Sequence, residues 1–440
     1  MTINRRTFLK GSIASGMALA APAIIRAQSN SKYRTALIGS GWWGMNIARY
    51  ALESGQCTMV ALCDVDRSQL DSAAKLIEQQ SGDKPKLYKD YRELLEKEKL
   101  QIAIVATPDH WHALPMIAAV KAGADVYVEK PIGHTVYEGR AMVKAARETG
   151  RVVQVGTHRR ISPHNVSGMK FLKEGKAGKI GMVKAFVHYP GGEEKPRPNQ
   201  EPPEGLDWDM WCGPAPLRPY NGMIHPRGFR QFLDFANGQL GDWGVHWLDQ
   251  VLWWTEEKYP KTIYSTGDRP IKGPPVNGPE GQTSDAPDHQ IVSYEFEDFS
   301  VVWEHRQFAG NNTDKGENVG CYFYGTNGIF HMGWQNGWTF YPSGRGQQII
   351  HEEAQLHNPD AQNIPELWAD FLEAIKNRSH PVCDIEIIHR STNMSLLGMV
   401  SLKAGRSIKW DGEKEVITDD PEANKLLHRD YRKPWIYPQV

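Results

Sequence analysis

Two hydrophobic periods alternate through the first part of the chain. YRTALI at 33–38 is a run of strand formers, and Ile47, Ala48, Ala51 and Leu52 then recur at helical spacing. CTMVALC at 57–63 reads as a second strand. Leu70–Gln80 and Tyr91–Lys97 carry the helical period. QIAIVATP reads as a buried strand ending at Pro108, and Ala113–Ala122 as a helix. ADVYVEKP is a strand ending at Glu129, Lys130 and Pro131; Tyr137–Thr149 is a helix and RVVQVGTH a strand. Strands alternating with helices predict an α/β fold, a parallel doubly wound sheet with right-handed crossovers, over 33–158.

After 158 the pattern changes. MVKAFVHYP, DHQIVSYEF, SVVWEHRQF, NVGCYFYGT and GIFHMGW are strand-like, with turn residues such as GTNG between them. Helices are predicted over Asn237–Trp254, Pro365–Asn377 and Ile385–Arg406. Residues 191–223 are rich in Pro, Gly and Trp and too long for a plain connection, which predicts a functional loop over a cleft. PIKGPPVNGPEGQ at 270–282 reads as a surface loop. The second domain is expected over 159–420. The aromatic, basic tail 421–440 is expected to dock on its own fold or on a neighbouring subunit.

The first strand–helix turn carries chemistry. Gly39, Gly41 and Gly44 form GxGxxG, with Trp42 and Trp43 inside it. The first glycine permits the sharp turn, the second lets a pyrophosphate approach the backbone, and the third lets helix and strand pack closely. The helix N-terminus then offers free N–H groups and the positive end of its dipole. Asp64 ends the second strand, where a carboxylate accepts hydrogen bonds from a ribose diol and repels a 2′-phosphate. That favours NAD over NADP, with Arg67 as a mild counter-sign. Ligands of such sheets sit at the carboxyl ends of the strands, so Asp64, Thr107–His112, Glu129–Lys130 and His158 are expected to converge.

Charge and cysteine content narrow the class. There are 51 basic and 52 acidic residues for a net charge of −1, which points to neither nucleic acid nor a membrane surface. Five cysteines, at 57, 63, 212, 321 and 383, are odd in number and contain no CxxC, so neither a disulfide framework nor a zinc site is expected. No HExxH, HxxEH or GxSxG occurs. HEE at 351–353 lacks a second ligand at metal spacing and reads as a solvated loop. The 15 Trp and 16 Tyr are mostly core formers, though a sugar cleft would use some.

NRRTFLK, then GSIASGMALAAPAII and RAQ, reads as a twin-arginine export signal over 1–27, cut after Ala27 or else Ala23. The apolar run is shorter than the roughly 20 residues of a membrane span. No stable membrane anchor is expected. The twin-arginine translocase is the expected export partner, and the expected location is the periplasm or beyond.

The ordered set of GxGxxG, TPxxxH (Thr107, Pro108, Asp109, His110, Trp111, His112), EKP (Glu129, Lys130, Pro131) and DxxxH (Asp242 and His246 in GQLGDWGVHWLDQ) resembles the glucose–fructose oxidoreductase/inositol dehydrogenase/MocA family. The resemblance spans essentially all of the chain beyond 1–27. It implies an N-terminal Rossmann domain and a C-terminal α/β domain built on a large, mainly antiparallel open sheet. It also implies that Lys130, Asp242 and His246 are catalytic.

DxxxH on a helix puts both side chains on one face, one turn apart. With Lys130 beside a nicotinamide, the set suits oxidation of a secondary alcohol. His246 is a base near neutrality, and Lys130 can hold the hydroxyl and stabilise developing oxyanion charge. Lys130 itself remains open as the base. Trp111 and His112 are expected on the cofactor side. Arg159, Arg160, Tyr189 and Trp243 are expected to bind substrate, with Trp208 and His225 as further cleft candidates. An NAD site behind an export signal makes sense if the nucleotide is loaded before export and kept. That leaves an exported NAD-dependent sugar or glycoside oxidoreductase, or a redox-neutral glycosidase or epimerase acting through a transient keto sugar. The glycine-rich histidine segment of family glycosidases is not apparent here. Open sheets pair, so a homodimer or homotetramer is expected.

Overall fold

The computed structural model describes residues 32–439 except 257, 280 and 311–315. The export signal at 1–27 lies outside the described residues. Six strands, β1 (Tyr33–Ile38), β2 (Cys57–Cys63), β3 (Lys86–Tyr88), β4 (Ile102–Val105), β5 (Asp125–Val128) and β6 (Val153–Val155), form one parallel sheet in the order β3-β2-β1-β4-β5-β6. Helices α1 (Trp42–Glu53), α2 (Arg67–Ser81), α3 (Tyr91–Lys97), α4 (Ala113–Lys121) and α5 (Val136–Thr149) connect them. β4 and β5 are buried at every residue, as a sheet covered on both faces requires. β3 carries no readable signal: it is three residues long, and only Tyr88 is buried.

The second sheet has ten strands. In spatial order they are Ile350–Glu352, Trp338–Pro342, Gly328–Gly333, Val319–Gly325, Ile180–His188, Ser300–Arg306, His289–Glu295, Thr262–Asp268, Ile408–Asp411 and Val416–Thr418. Ile180–His188 and Ser300–Arg306 pair in parallel; the other neighbours are antiparallel. Period-2 burial puts Val183, Ala185, Val187, Val301, Trp303, Val292 and Tyr294 into the core with helices Gly238–Thr255 and Ile385–Ala404. The far face leaves Met182, Tyr264 and Ile291 exposed. His351 corrects the loop reading of HEE: it sits in an edge strand, its Nδ1 2.8 Å from Thr339 Oγ1.

Two departures from the expected division bear on the site. Helix Ile364–Asn377 packs Ile364, Leu367, Trp368 and Phe371 into the core of the parallel sheet, so that core is completed from far along the chain. The segment after 191 has a small core of its own, built from Trp208, Trp211, Phe229, Phe232 and Phe235 among others. That core makes it a folded flap rather than an open loop.

The tail lies across these parts. Arg429 bonds Glu138 Oε1 and the His110 carbonyl, Tyr431 bonds Glu138 Oε1, and Arg432 bonds the Gly213 and Ala215 carbonyls.

Candidate active site

At the β1–α1 turn, Gly39 has φ +93°, and a Cβ there would lie 2.6 Å from the Ala106 carbonyl group. A Cβ on Gly44 would lie 2.0 Å from Gly39 O, so helix and strand touch only because that residue is glycine. A Cβ on Gly41 would meet nothing within 4 Å. α1 has no side-chain N-cap and no acid in its first turn. Free N–H groups therefore face open space, which is the cradle a pyrophosphate needs. The groove runs on past Trp42, Trp43, Asp64, Thr107, Pro108, Trp111, His112, Glu129 and Lys130, and encloses about 1220 Å³ including its open mouth. The flap supplies the facing wall through Trp211, His225, Arg227 and Arg230. Arg227 stacks on exposed Trp42, 4.7 Å from the ring centroid.

Asp64 is held by its own chain. Oδ2 accepts from Ser40 N at 2.7 Å and Oδ1 from Asp66 N at 3.0 Å. Burial raises its pKa to about 6 against those bonds. Two of the cations near it are taken: Arg67 pairs with Asp71 at 2.9 Å and Lys89 with Asp207 at 2.7 Å. Among the described residues, Thr107 Oγ1 and Glu129 Oε1 are buried without a hydrogen-bond partner. These orphaned atoms, the open space at Gly41 and the uncapped helix fit a bound NAD. His112 and Trp111 line the groove and also tie it together. The His112 ring lies 2.6 Å from Pro131 O and 2.8 Å from Thr107 O, and Trp111 Nε1 donates to Trp211 O at 2.9 Å.

The inner end of the groove meets the DxxxH helix. Lys130 follows β5 by two residues, and its Nζ bonds Asp242 Oδ1 at 2.5 Å and the Asp242 carbonyl at 2.8 Å. An ammonium has three N–H donors, so one stays free. Arg230 Nε adds a 3.2 Å bond to Asp242 Oδ1. Burial pushes the Asp242 carboxyl up, but Lys130 and Arg230 outweigh it and hold it below its ordinary value. His246, one turn on, is buried with Nδ1 unpartnered among the described residues; burial foremost, then Lys130, His158 and Arg159, hold its pKa well below the usual histidine range, which corrects the expectation of a base poised near neutrality. Asp109 and Glu129, at the same junction, are both raised to about 7, chiefly by burial.

Some expected site residues lie elsewhere. His158 does not line the groove; it packs beside His246, ring centroids 6.2 Å apart. Arg160 is buried in an ion pair with Asp249 (2.9 Å), so it cannot bind substrate. Arg159 is 1% exposed, clamped between Trp247 and Trp334, and does not reach the cleft. Trp208 stacks on Trp211 inside the flap core and donates to Arg218 O, away from any cleft. Tyr189 and Trp243 do stand at the site, 6.0 Å apart, and Asp242 adds to the burial that raises the Tyr189 hydroxyl pKa. Trp334 completes this wall, 5.1 Å from Trp243 and 5.3 Å from His246. Sequence reading missed Arg230 and Trp334, and expected Asp109 only as part of the converging run Thr107–His112. Arg230 and Trp334 belong to no motif and reach the site only through the fold.

Comparison with known proteins decides the family. A model of the oxidoreductase family's NAD-binding Rossmann fold matches residues 33–157, and a model of its C-terminal alpha/beta domain matches 177–437. The chain belongs to the Gfo/Idh/MocA oxidoreductase family. Levoglucosan dehydrogenase in complex with NADH and levoglucosan shares the fold at TM-score 0.65 and 18% identity, over 86% of this chain and 99% of that one. The WlbA dehydrogenase from Bordetella pertussis, in complex with NADH and UDP-GlcNAcA, does so at TM-score 0.62 and 18% identity, over 86% and 99%. By sequence, the chain is 25% identical over 212 residues to an alpha-N-acetylgalactosaminidase from Shewanella oneidensis. It is 29% identical over 154 residues to a glycosyl hydrolase family 109 protein from Stenotrophomonas maltophilia. Those two matches span 46% and 34% of the relatives' own lengths, and 42% and 34% of this chain. The Rossmann domain of this family member is an NAD-binding domain, and the chain is an oxidoreductase-family enzyme.

Proposed function

We propose that this protein is an exported NAD-dependent sugar or glycoside oxidoreductase that takes hydride from a ring secondary alcohol and keeps its nucleotide bound throughout. The observation that carries the reading is the junction itself. Lys130, from the nucleotide sheet, is bonded to Asp242, with neutral His246 one helical turn beyond. NAD, when bound, supplies the hydride acceptor. Asp242 orients the Lys130 ammonium, whose third N–H donates to the substrate hydroxyl oxygen and stabilises negative charge there. His246 accepts the hydroxyl proton at a ring nitrogen. Tyr189, Trp243 and Trp334 give the C–H face of a sugar an aromatic wall and exclude water. Gly39, Gly41, Gly44, Thr107 and Glu129 would hold the nucleotide, with Asp64 favouring NAD over NADP while Arg67 and Lys89 are occupied by carboxylates.

The twin-arginine reading of 1–27 adds a reason for retention, since a folded protein carries its nucleotide through the translocase. The exposed sheet face, with Met182, Tyr264 and Ile291, supports assembly as a homodimer or homotetramer. The family 109 relatives favour one second reading: a redox-neutral glycosidase or epimerase using the same residues through a transient keto sugar.

Product analysis separates the two. The oxidoreductase accumulates a keto sugar, or reduces a paired acceptor, in proportion to sugar consumed. The second reading gives a cleaved or inverted sugar with no net oxidation.

A further inference from the structure

The flap meets the nucleotide groove at three places. Beyond β2, Arg67 N donates to Gly205 O at 3.1 Å and Asp207 N to Val65 O at 3.0 Å, so the flap backbone pairs with the strand end that carries Asp64. At the GxGxxG turn Arg227 stacks on Trp42, next to Gly41. At the TPxxxH loop the Trp211 carbonyl accepts from Trp111 Nε1 and His110 Nε2, both at 2.9 Å. The tail pins this flap. Arg432 bonds Asp209 Oδ2 through Nη1 and Asp209 O through Nη2, each at 2.7 Å. Its Nε reaches Gly213 O (3.1 Å) and Ala215 O (3.2 Å), and its backbone N–H reaches Pro214 O (3.0 Å). These carbonyls lie in and just after the short flap helix Trp208–Cys212, whose C-terminal end the guanidinium caps. Three residues on, Trp435 stands edge-on to Trp111, ring centroids 4.7 Å apart, and Arg92 of α3 covers it at 4.8 Å. Trp435 N donates to Arg432 O at 3.0 Å, so one turn of the tail carries both anchors. Trp111 lines the groove from the nucleotide domain, and Met210 and Trp211 line it from the flap. The tail therefore fastens one wall of the groove to the other.

We propose that Arg432 and Trp435 form a clasp that holds the flap closed over the bound nucleotide and sets the rate at which it leaves. The inference deepens the reading that the protein keeps its nucleotide, and it rests on that reading. A dinucleotide with its ribose at Asp64 and its pyrophosphate at Gly41 lies beneath the flap. Release requires the flap to lift, and lifting it parts the joint between Trp111 and Trp211. The tail spans that joint from outside, so parting it breaks the Arg432 and Trp435 contacts as well. Arg432 does not line the groove; it is a positioning residue acting through Met210 and Trp211. Its ion pair contributes little, because the Asp209 carboxylate is 67% exposed. The bonds to the three backbone carbonyls do the holding, and they are lost with the guanidinium. Only the backbone bond to Pro214 survives a substitution at 432.

The test loads the full-length protein with NADH and follows the loss of nucleotide fluorescence after dilution into excess NAD, with no sugar present. The unsubstituted protein releases NADH over minutes or longer. Arg432→Met and Trp435→Ala each release it about tenfold faster or more, the change that about 1.4 kcal/mol in the barrier produces. Asp209→Asn, which keeps the carbonyl bonds, stays within about twofold of the unsubstituted rate. Should neither clasp variant fold, Arg432→Lys makes the comparison: it keeps the charge, loses the planar fork and releases NADH about threefold faster. A folded clasp variant that releases NADH at the unsubstituted rate overturns the proposal, even if its melting temperature has dropped, since a merely structural role would lower stability and leave release unmoved. Equal retention by the unsubstituted protein and the variants removes the clasp alone. Loss of NADH from the unsubstituted protein within seconds removes the retention reading together with it. The measurement needs no turnover, so a failure to find a keto sugar is a separate result.

Discussion

Replacing Lys130 by methionine removes the side chain that ties the end of β5 to Asp242 on the DxxxH helix. Two bonds go, at 2.5 and 2.8 Å, and Asp242 keeps only the 3.2 Å bond from Arg230. The two side chains are 13% and 19% exposed, so the loss leaves a largely buried carboxylate short of its main partner. Breaking such a pair destabilises by about 3–5 kcal/mol, and the surviving Arg230 contact puts Lys130→Met at the low end, about 3 kcal/mol. Activity falls further than stability accounts for. Losing a preorganised donor to the reacting oxygen lowers the rate about 10²–10³-fold. The double variant Lys130→Met/Asp242→Asn removes both charges and recovers most of the stability, while activity stays down. Thermal unfolding and single-turnover absorbance at 340 nm, read on both variants and on Asp242→Asn, complete the cycle. Additive stability losses, or a Lys130→Met protein within about threefold of full activity, would refute the reasoning.

Asp64→Ser removes the carboxylate that Ser40 and Asp66 orient at the ribose end. NADH affinity should fall by about 1.5–3 kcal/mol, while NADPH, freed from repulsion, binds no worse; nucleotide fluorescence titration checks both. Arg160→Met should cost about 3–5 kcal/mol of stability by stranding Asp249, yet leave KM within twofold, because that pair lies outside the cleft. For pH, burial raises Asp109 and Glu129 to about 7, so the folded state holds protons that the unfolded chain has released above pH 4–5. Each therefore makes stability fall as pH rises from about 4 to 7. Relative to Glu129→Gln or Asp109→Asn, the unsubstituted protein should lose unfolding free energy across that window and level off above it, as denaturant titrations at fixed pH values would read.

The alternating periods made the parallel sheet legible because each element buries a continuous apolar face, and helices Gly238–Thr255 and Ile364–Asn377 lie within a residue of where periodicity put them. Thr262–Asp268 and Trp338–Pro342 escaped notice because serine, threonine, glycine and proline interrupt their alternation. Lys130, Asp242 and His246 were legible because their spacing is local to a motif. Arg159 and Arg160 looked like substrate ligands since basic residues after a strand end face a cleft in many sheets. Here the chain turns them inward, one onto Asp249 and the other between two indoles. Arg230 and Trp334 lie on different segments, and their convergence on Asp242 and His246 is a property of tertiary packing that no local spacing encodes.

The most direct test of the account mixes the purified protein, with no nucleotide added, with a panel of pyranosides in a single turnover. Absorbance at 340 nm is followed while the quenched sugars are analysed by mass spectrometry. The account predicts reduced nucleotide appearing on the protein in step with a keto sugar two mass units lighter than its parent, and neither signal in Lys130→Met. A protein that carries no nucleotide, and that still forms neither signal with any pyranoside after NAD is added, would contradict it.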